Sequence, residues 1–233
     1  MKKVFIAAAL AVFALSANAQ NVADMVQGVE MDSPNNKIYF GLRASFDLTV
    51  PSKAGYELGG KDVKQGVFNT GAGFSIGGVV NIPVWRNLYF EPGLNMYYHT
   101  VGIKDSYLQE VSDFEKGSLR EFGLSVPLNF GYRFDFDGFS IAPFTGPELY
   151  LGLSGKQHMS ATVGDVDMGG SRSMYGDDGL NRGDVAWRFG VGANISYHYY
   201  VGISGAVGMT NWYKTDGVSG RRNQFNLTVG YNF

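Results

Sequence analysis

The chain has 233 residues, 33 of them glycine, with 15% aromatic residues, no cysteine and a net charge of −2. That length fits one domain or two small ones. Glycine at this frequency weakens helices and argues against a mainly helical protein. The absence of cysteine excludes disulfides and thiol chemistry, and the near-neutral charge gives no electrostatic case for a nucleic-acid partner.

The N-terminus reads as an export signal. Lys2 and Lys3 precede an apolar stretch from Val4 to Leu15, and Ala17-Asn18-Ala19 supplies small residues before Gln20. This is the pattern of a secretory signal peptide over residues 1–19, and the apolar run is too short for a membrane-spanning helix. The polar stretch 20–36 reads as a flexible periplasmic lead-in, and 37–233 as the folded domain.

From there the chain alternates with period two, the signature of strands with two unlike faces. Ile38, Phe40, Leu42, Ala44 and Phe46 oppose Tyr39, Gly41, Arg43 and Ser45. Phe74, Ile76, Val80 and Ile82 oppose Gly73, Ser75, Gly77 and Asn81. Leu88, Phe90, Leu94, Met96 and Tyr98 oppose Tyr89, Glu91, Gly93, Asn95 and Tyr97. Phe122, Leu124, Val126, Leu128 and Phe130 oppose Glu121, Gly123, Ser125, Asn129 and Gly131. A fifth segment, interrupted by two prolines, sets Ile141, Leu149, Leu151 and Leu153 against Ala142, Phe144, Gly146 and Glu148. Val185, Trp187, Phe189, Val191, Ala193 and Ile195 then oppose Asp184, Arg188, Gly190, Gly192 and Asn194. Val201, Ile203, Val207 and Met209 oppose Gly202, Ser204, Ala206 and Gly208, and Phe225, Leu227, Val229, Tyr231 and Phe233 oppose Asn226, Thr228, Gly230 and Asn232.

The composition of the two faces decides the environment. Glycine, serine and asparagine cannot form a hydrophobic core, so the polar face is no interior for a water-soluble barrel. The aliphatic and aromatic face would be an apolar belt far larger than a soluble surface carries. Eight antiparallel strands in an up-and-down transmembrane β-barrel, apolar outside and polar within, satisfy both faces.

Short connections fall near Pro83–Asn87, Asp135–Gly138 and Tyr197–Tyr199, and long ones at Thr49–Thr70, Val101–Ser118, Gly155–Arg182 and Asn211–Arg222. In such barrels short turns face the periplasm and long loops the exterior. Tyr97, Tyr98, Tyr199, Tyr200, Trp212 and Tyr213 sit at strand ends, where an interfacial aromatic girdle is expected. The terminal Phe233, with Tyr231 two residues before it, has the form of an assembly signal read by the barrel-assembly machinery.

Four segments then point to a family: LSVPLNFGYRF at Leu124–Phe134, FEPGLNMYY at Phe90–Tyr98, PFTGPELYLG at Pro143–Gly152 and AVGMTNW at Ala206–Trp212. Together they resemble the PorT-like outer-membrane β-barrel family over about Ile38 to Phe233. The resemblance implies an eight-stranded barrel in the outer membrane of a Gram-negative bacterium, and implies no single activity.

The charged residues of the polar face, Arg43, Glu91, Glu121, Glu148 and Arg188, are the candidate functional groups. An eight-stranded barrel is just wide enough for side chains to fill, and charges inside it must pair or meet water. The first reading is therefore a plug of cross-lumen ion pairs, with Arg43 or Arg188 neutralising Glu91 and Glu121. A narrow channel, a ligand-binding barrel and a rim-sited enzyme are the alternatives. His99, His158 and His198 share no face at metal-ligand spacing. The loop aspartates Asp165, Asp167, Asp177 and Asp178 lack the spacing of a calcium loop. Neither a cofactor nor a catalytic group is expected. The surroundings to be met are outer-membrane lipid, and an extracellular ligand or protein reached through the loops of a monomer.

Overall fold

Eight long strands carry the alternation, and pairing between the first and the last closes them into a barrel. The computed structural model describes residues 37–58, 61–106, 108, 116–163, 166–176, 179–196 and 198–233. The expected signal peptide and the lead-in over 20–36 lie outside them. In chain order the strands are β1 (Tyr39–Pro51), β2 (Ala54–Leu58), β3 (Lys61–Gln65), β4 (Gly71–Trp85), β5 (Leu88–Ile103), β6 (Lys116–Tyr132), β7 (Phe134–Phe136), β8 (Phe139–Val163), β9 (Val166–Ser173), β10 (Gly183–Ile195), β11 (Tyr199–Gly208), β12 (Val218–Ser219) and β13 (Arg222–Asn232).

The barrel wall is β1, β4, β5, β6, β8, β10, β11 and β13, each antiparallel to its neighbours. Closure runs from Gly41 opposite Asn232 to Pro51 opposite Arg222. The amide of Phe233 extends it by donating to the Phe40 carbonyl at 2.9 Å. No free edge is left for lipid to solvate, which is why the sheet must close.

Side-chain parity assigns the faces as the alternation implies. Phe40, Phe74, Met96, Phe130, Phe189, Ile203 and Leu227 are exposed on the outside. Arg43, Asn81, Glu91, Ser125, Arg188, Ser204 and Thr228 are buried within. On β6 the outward aromatics Phe122 and Tyr132 bracket the apolar band. The ten residue steps from one to the other, at about 3.3 Å each and a tilt near 40°, span about 25 Å, the height of an outer-membrane hydrocarbon layer.

Prolines that would break a ladder sit where pairing lapses. Between β5 and β6 the paired register jumps from Pro92–Leu128 to Asn95–Ser125. Between β6 and β8 it jumps from Pro127–Glu148 to Phe130–Thr145. Pro83 lies at the irregularity between β4 and β5. At the short-turn end, Asp137-Gly138 joins β7 to β8, with Gly138 at φ +80°. Glycine takes that left-handed geometry without steric cost, which suits it to the tight turn.

The opposite end departs from the sequence expectation. Segments expected as loops are sheet. β8 runs on to Val163 and returns as β9, pairing Lys156 with Ser173 through Val163 with Val166. The first and last long connections meet in a small sheet of order β12-β2-β3. These extensions stand beyond the lipid, where both faces of a strand meet water and hydrophobic alternation has no cause to persist.

Candidate functional site

The lumen holds ten buried arginine, acidic and histidine side chains among the described residues: Arg43, Arg133, Arg188, Arg222, Asp47, Glu91, Glu121, Glu148, Asp184 and His99. Strand parity points each of them inward, and the narrow eight-stranded interior brings opposite walls within reach of one another.

Three tiers follow from the short-turn end upward. In the first, Arg133 donates to the Tyr39 hydroxyl at 3.0 Å and to Asn81 at 3.1 Å, and Asn81 donates to Glu91 at 3.2 Å. Arg43 reaches the same Glu91 at 3.6 Å, its guanidinium 4.1 Å from the centre of the Tyr200 ring. In the second, Arg188 pairs with Glu148 at 3.4 Å and donates twice to Ser204. Asn226 donates to Asp47 at 2.6 Å, Asp47 meets His99 Nε2 at 3.2 Å, and His99 Nδ1 lies 3.4 Å from the Gln224 amide. In the third, Arg222 donates to Glu121 at 2.6 Å and faces Asp184 at 3.2 Å, and Glu121 also accepts from Tyr97 at 3.0 Å and Tyr175 at 2.7 Å.

Above these tiers lies an apolar cap of Val101, Leu119, Met174, Tyr175, Leu180 and Trp212, with Phe68 and Tyr213 packed against it. Met174 and Tyr175 belong to the connection between β9 and β10, which folds back over the barrel mouth. Lys214 anchors that connection by donating to the Tyr175 and Gly176 carbonyls. Burial and the neighbouring Glu121 push the Tyr175 hydroxyl well above the usual phenol range, so it stays a donor. Two spaces among the described lumen residues are small: about 20 Å³ beside Arg43, Glu91 and Arg188, and about 10 Å³ beneath the cap beside His99, Glu121 and Arg222. The larger holds about one water.

All five sequence-predicted charges thus line the lumen, but their pairing differs from expectation. Arg43 meets Glu91 and Arg188 meets Glu148, whereas Glu121 is neutralised by Arg222. Arg222 stands at the start of β13, three residues before the alternation from Phe225 begins. Asp47 continues the inward series of β1, one parity step past Ser45. His99 is in the lumen wall, with both ring nitrogens engaged.

Four of the six expected girdle aromatics lie elsewhere. Tyr97, 1% exposed, is inside on Glu121, and Tyr200 lies inside under Arg43. Both share parity with polar residues of their strands, and parity outranks position at a strand end. Trp212, 2% exposed, belongs to the cap, as does the half-buried Tyr213 stacked on Phe68. Their connection crosses the barrel mouth instead of skirting the lipid. Tyr98, packed on Phe74, and Tyr199 remain on the outer face.

Residues 11–214 match the family model of the outer membrane protein beta-barrel domain. The chain belongs to this family. No curated protein matches it. Among solved structures, this family member is similar to Ail, the attachment invasion locus protein of Yersinia pestis. Identity is 15% and the TM-score 0.41, covering 84% of this chain and 98% of that one. It is also similar to OprG of Pseudomonas aeruginosa, at 11% identity and a TM-score of 0.44, covering 84% and 95%. Neisserial surface protein A matches at 15% and 0.38, covering 83% and 95%. Membership in the outer membrane protein beta-barrel domain family gives the apolar belt its setting, the outer membrane.

The cap depends on a close approach at Gly152. A Cβ there would strike the Tyr175 hydroxyl and crowd Glu121. Gly152→Val should therefore displace Tyr175 from Glu121 and lower stability by about 1–3 kcal/mol. Urea unfolding in lipid vesicles checks this, with Gly170→Ala, where an added Cβ meets open space, as a comparison outside the cap.

Proposed function

We propose that this barrel is a non-conducting, non-enzymatic outer-membrane protein, its lumen plugged by its own side chains, that acts structurally or by binding through its loop-end extension. The observation that carries the reading is the stack of buried ion pairs from Arg43–Glu91 through Arg188–Glu148 to Arg222–Glu121 under an apolar cap, with room for about one water beside Arg43 and Glu91. No cofactor is required. Both nitrogens of His99 are committed to Asp47 and Gln224, so it offers no free base to a nucleophile.

Within its family, the segments around Leu124–Phe134 and Pro143–Gly152 place the chain nearest the PorT-like barrels in our reading. Export by a cleaved signal peptide, recognition of Phe233 and Tyr231 by the barrel-assembly machinery, and a monomeric state complete the proposal. Phe233 is well placed for such recognition, being 71% exposed at the closing strand.

Planar-bilayer recording of the refolded protein tests the plug. The expected result is no steady unitary conductance. A stable pore whose conductance changes on replacing Arg43 or Glu148 would overturn the reading and favour a small channel.

A further inference from the structure

Above the lipid belt the outer wall changes from apolar to basic within one parity step. On β6 the outward series runs Phe122, Arg120, Ser118, Lys116, and Arg120 and Lys116 are exposed. On β8, Lys156 stands directly opposite Arg120, His158 opposite Ser118 and Ser160 opposite Lys116. The β9 partners of Lys156 and His158 are Ser173 and Ser171. A groove of about 530 Å³ opens on this surface, lined by Lys116, Ser118, Arg120, His158, Ser160 and Ser171 among others, with no carboxylate among the described residues of its lining.

Two like charges placed directly across a strand pair repel each other and disfavour the fold. Arg120 and Lys156 are in that position, and no ion pair among the described residues relieves them. An anion held between them would. Height identifies the anion. Arg120 lies two residues beyond Phe122, about 5 Å along the membrane normal, and Lys116 about 10 Å further. Arg120 and Lys156 therefore stand in the headgroup layer, about 5–8 Å deep outside the hydrocarbon core, and Lys116 rises above it. The long-loop end faces the cell exterior in this class of barrel.

We propose that this basic face binds the phosphorylated headgroup of an outer-leaflet lipid. Phosphate would sit between Arg120 and Lys156, with Lys116 and the serine hydroxyls supplying further donors. The lipid's acyl chains would lie against Phe122 and Leu153 of the belt below. Arginine suits this task because its planar donors match phosphate oxygens in pairs. The site stands on the outer wall and is independent of whether the lumen is plugged.

The test is native mass spectrometry of the refolded full-length barrel released from mixed micelles. The micelles contain a phosphomonoester lipid, the same lipid dephosphorylated, or a zwitterionic phosphatidylcholine. Selective retention of the phosphomonoester lipid is expected. Each cationic side chain near the surface contributes about fivefold. The combined variant Lys116→Gln, Arg120→Gln and Lys156→Gln should therefore lose retention on the order of a hundredfold. A control with Lys53, Lys61 and Lys64 changed to Gln, at the rim formed by β2 and β3, should retain it. Lys156→Glu separates binding from folding, since it pairs with Arg120 and should preserve or raise stability while abolishing retention. Equal retention of the phosphorylated and dephosphorylated lipid, or unchanged retention by the combined variant, overturns the proposal. So does inorganic phosphate binding as tightly in the absence of lipid, because the headgroup would then not be the ligand.

Discussion

Replacing Arg222 with methionine should lower the unfolding free energy of the folded barrel by about 3–5 kcal/mol, the largest loss expected from a single lumen substitution. Arg222 is buried between two acids, 2.6 Å from Glu121 and 3.2 Å from Asp184. Its guanidinium lies 4.5 Å from the centre of the Tyr150 ring and 5.7 Å from that of Trp212. Methionine keeps much of the packing volume and removes the charge, so the loss measures two carboxylates left unpaired away from water. Urea titration in lipid vesicles, followed by heat-modifiable gel mobility, gives the number. Adding Glu121→Gln and Asp184→Asn should return most of it, because a network with no charge costs less than one with half its charges. Arg221→Met, one residue away and exposed, should stay within about 0.5 kcal/mol. A wild-type midpoint for Arg222→Met would mean that the third tier is open to water and that the plug is not dry.

The reach of that prediction shows what the sequence could and could not tell. Parity is a local property, and every strand with an apolar and a polar face announced which side chains share the lumen. Arg43, Glu91, Glu121, Glu148 and Arg188 could all be found this way. Partners could not. Which arginine meets Glu121 depends on how far β6 and β13 run and on the stagger between strands far apart in sequence, and neither leaves a trace in the alternation. Strand ends were lost for a related reason. β8 continues through Gly155–Val163 as half of a ribbon in water. With solvent on both sides, residues such as Lys156, Gln157 and His158 follow no alternation, and the segment reads as a loop. The inward placing of Tyr97 and Tyr200 is legible in the sequence. Each shares parity with polar neighbours, Asn95 and Ser204 respectively, and parity outweighs an aromatic's position at the end of a strand. The placing of Trp212 and Tyr213 is not legible, since a connection that folds inward over a barrel mouth looks in sequence like one that stays outside.

The second large effect concerns the other face. Leu227→Arg should destabilise the barrel by about 2–4 kcal/mol in lipid vesicles, whereas Tyr231→Arg, four residues nearer the short-turn end, should cost about 0–1 kcal/mol. Leu227 is half exposed at the middle of β13, opposite Phe46 on one side and Ile203 on the other. All three side chains are outward and apolar. Arginine at that depth must either lose its hydration or draw water and headgroups inward, while at the belt's edge it reaches the interface by extending its own chain. The gradient between the two sites is the informative quantity. A barrel standing in water would accept arginine at either place within about 0.5 kcal/mol. A depth-dependent penalty on the outer face, together with the Arg222 loss within, would show the two faces obeying opposite rules: charge is excluded where the wall meets lipid, and it is required where the wall meets itself.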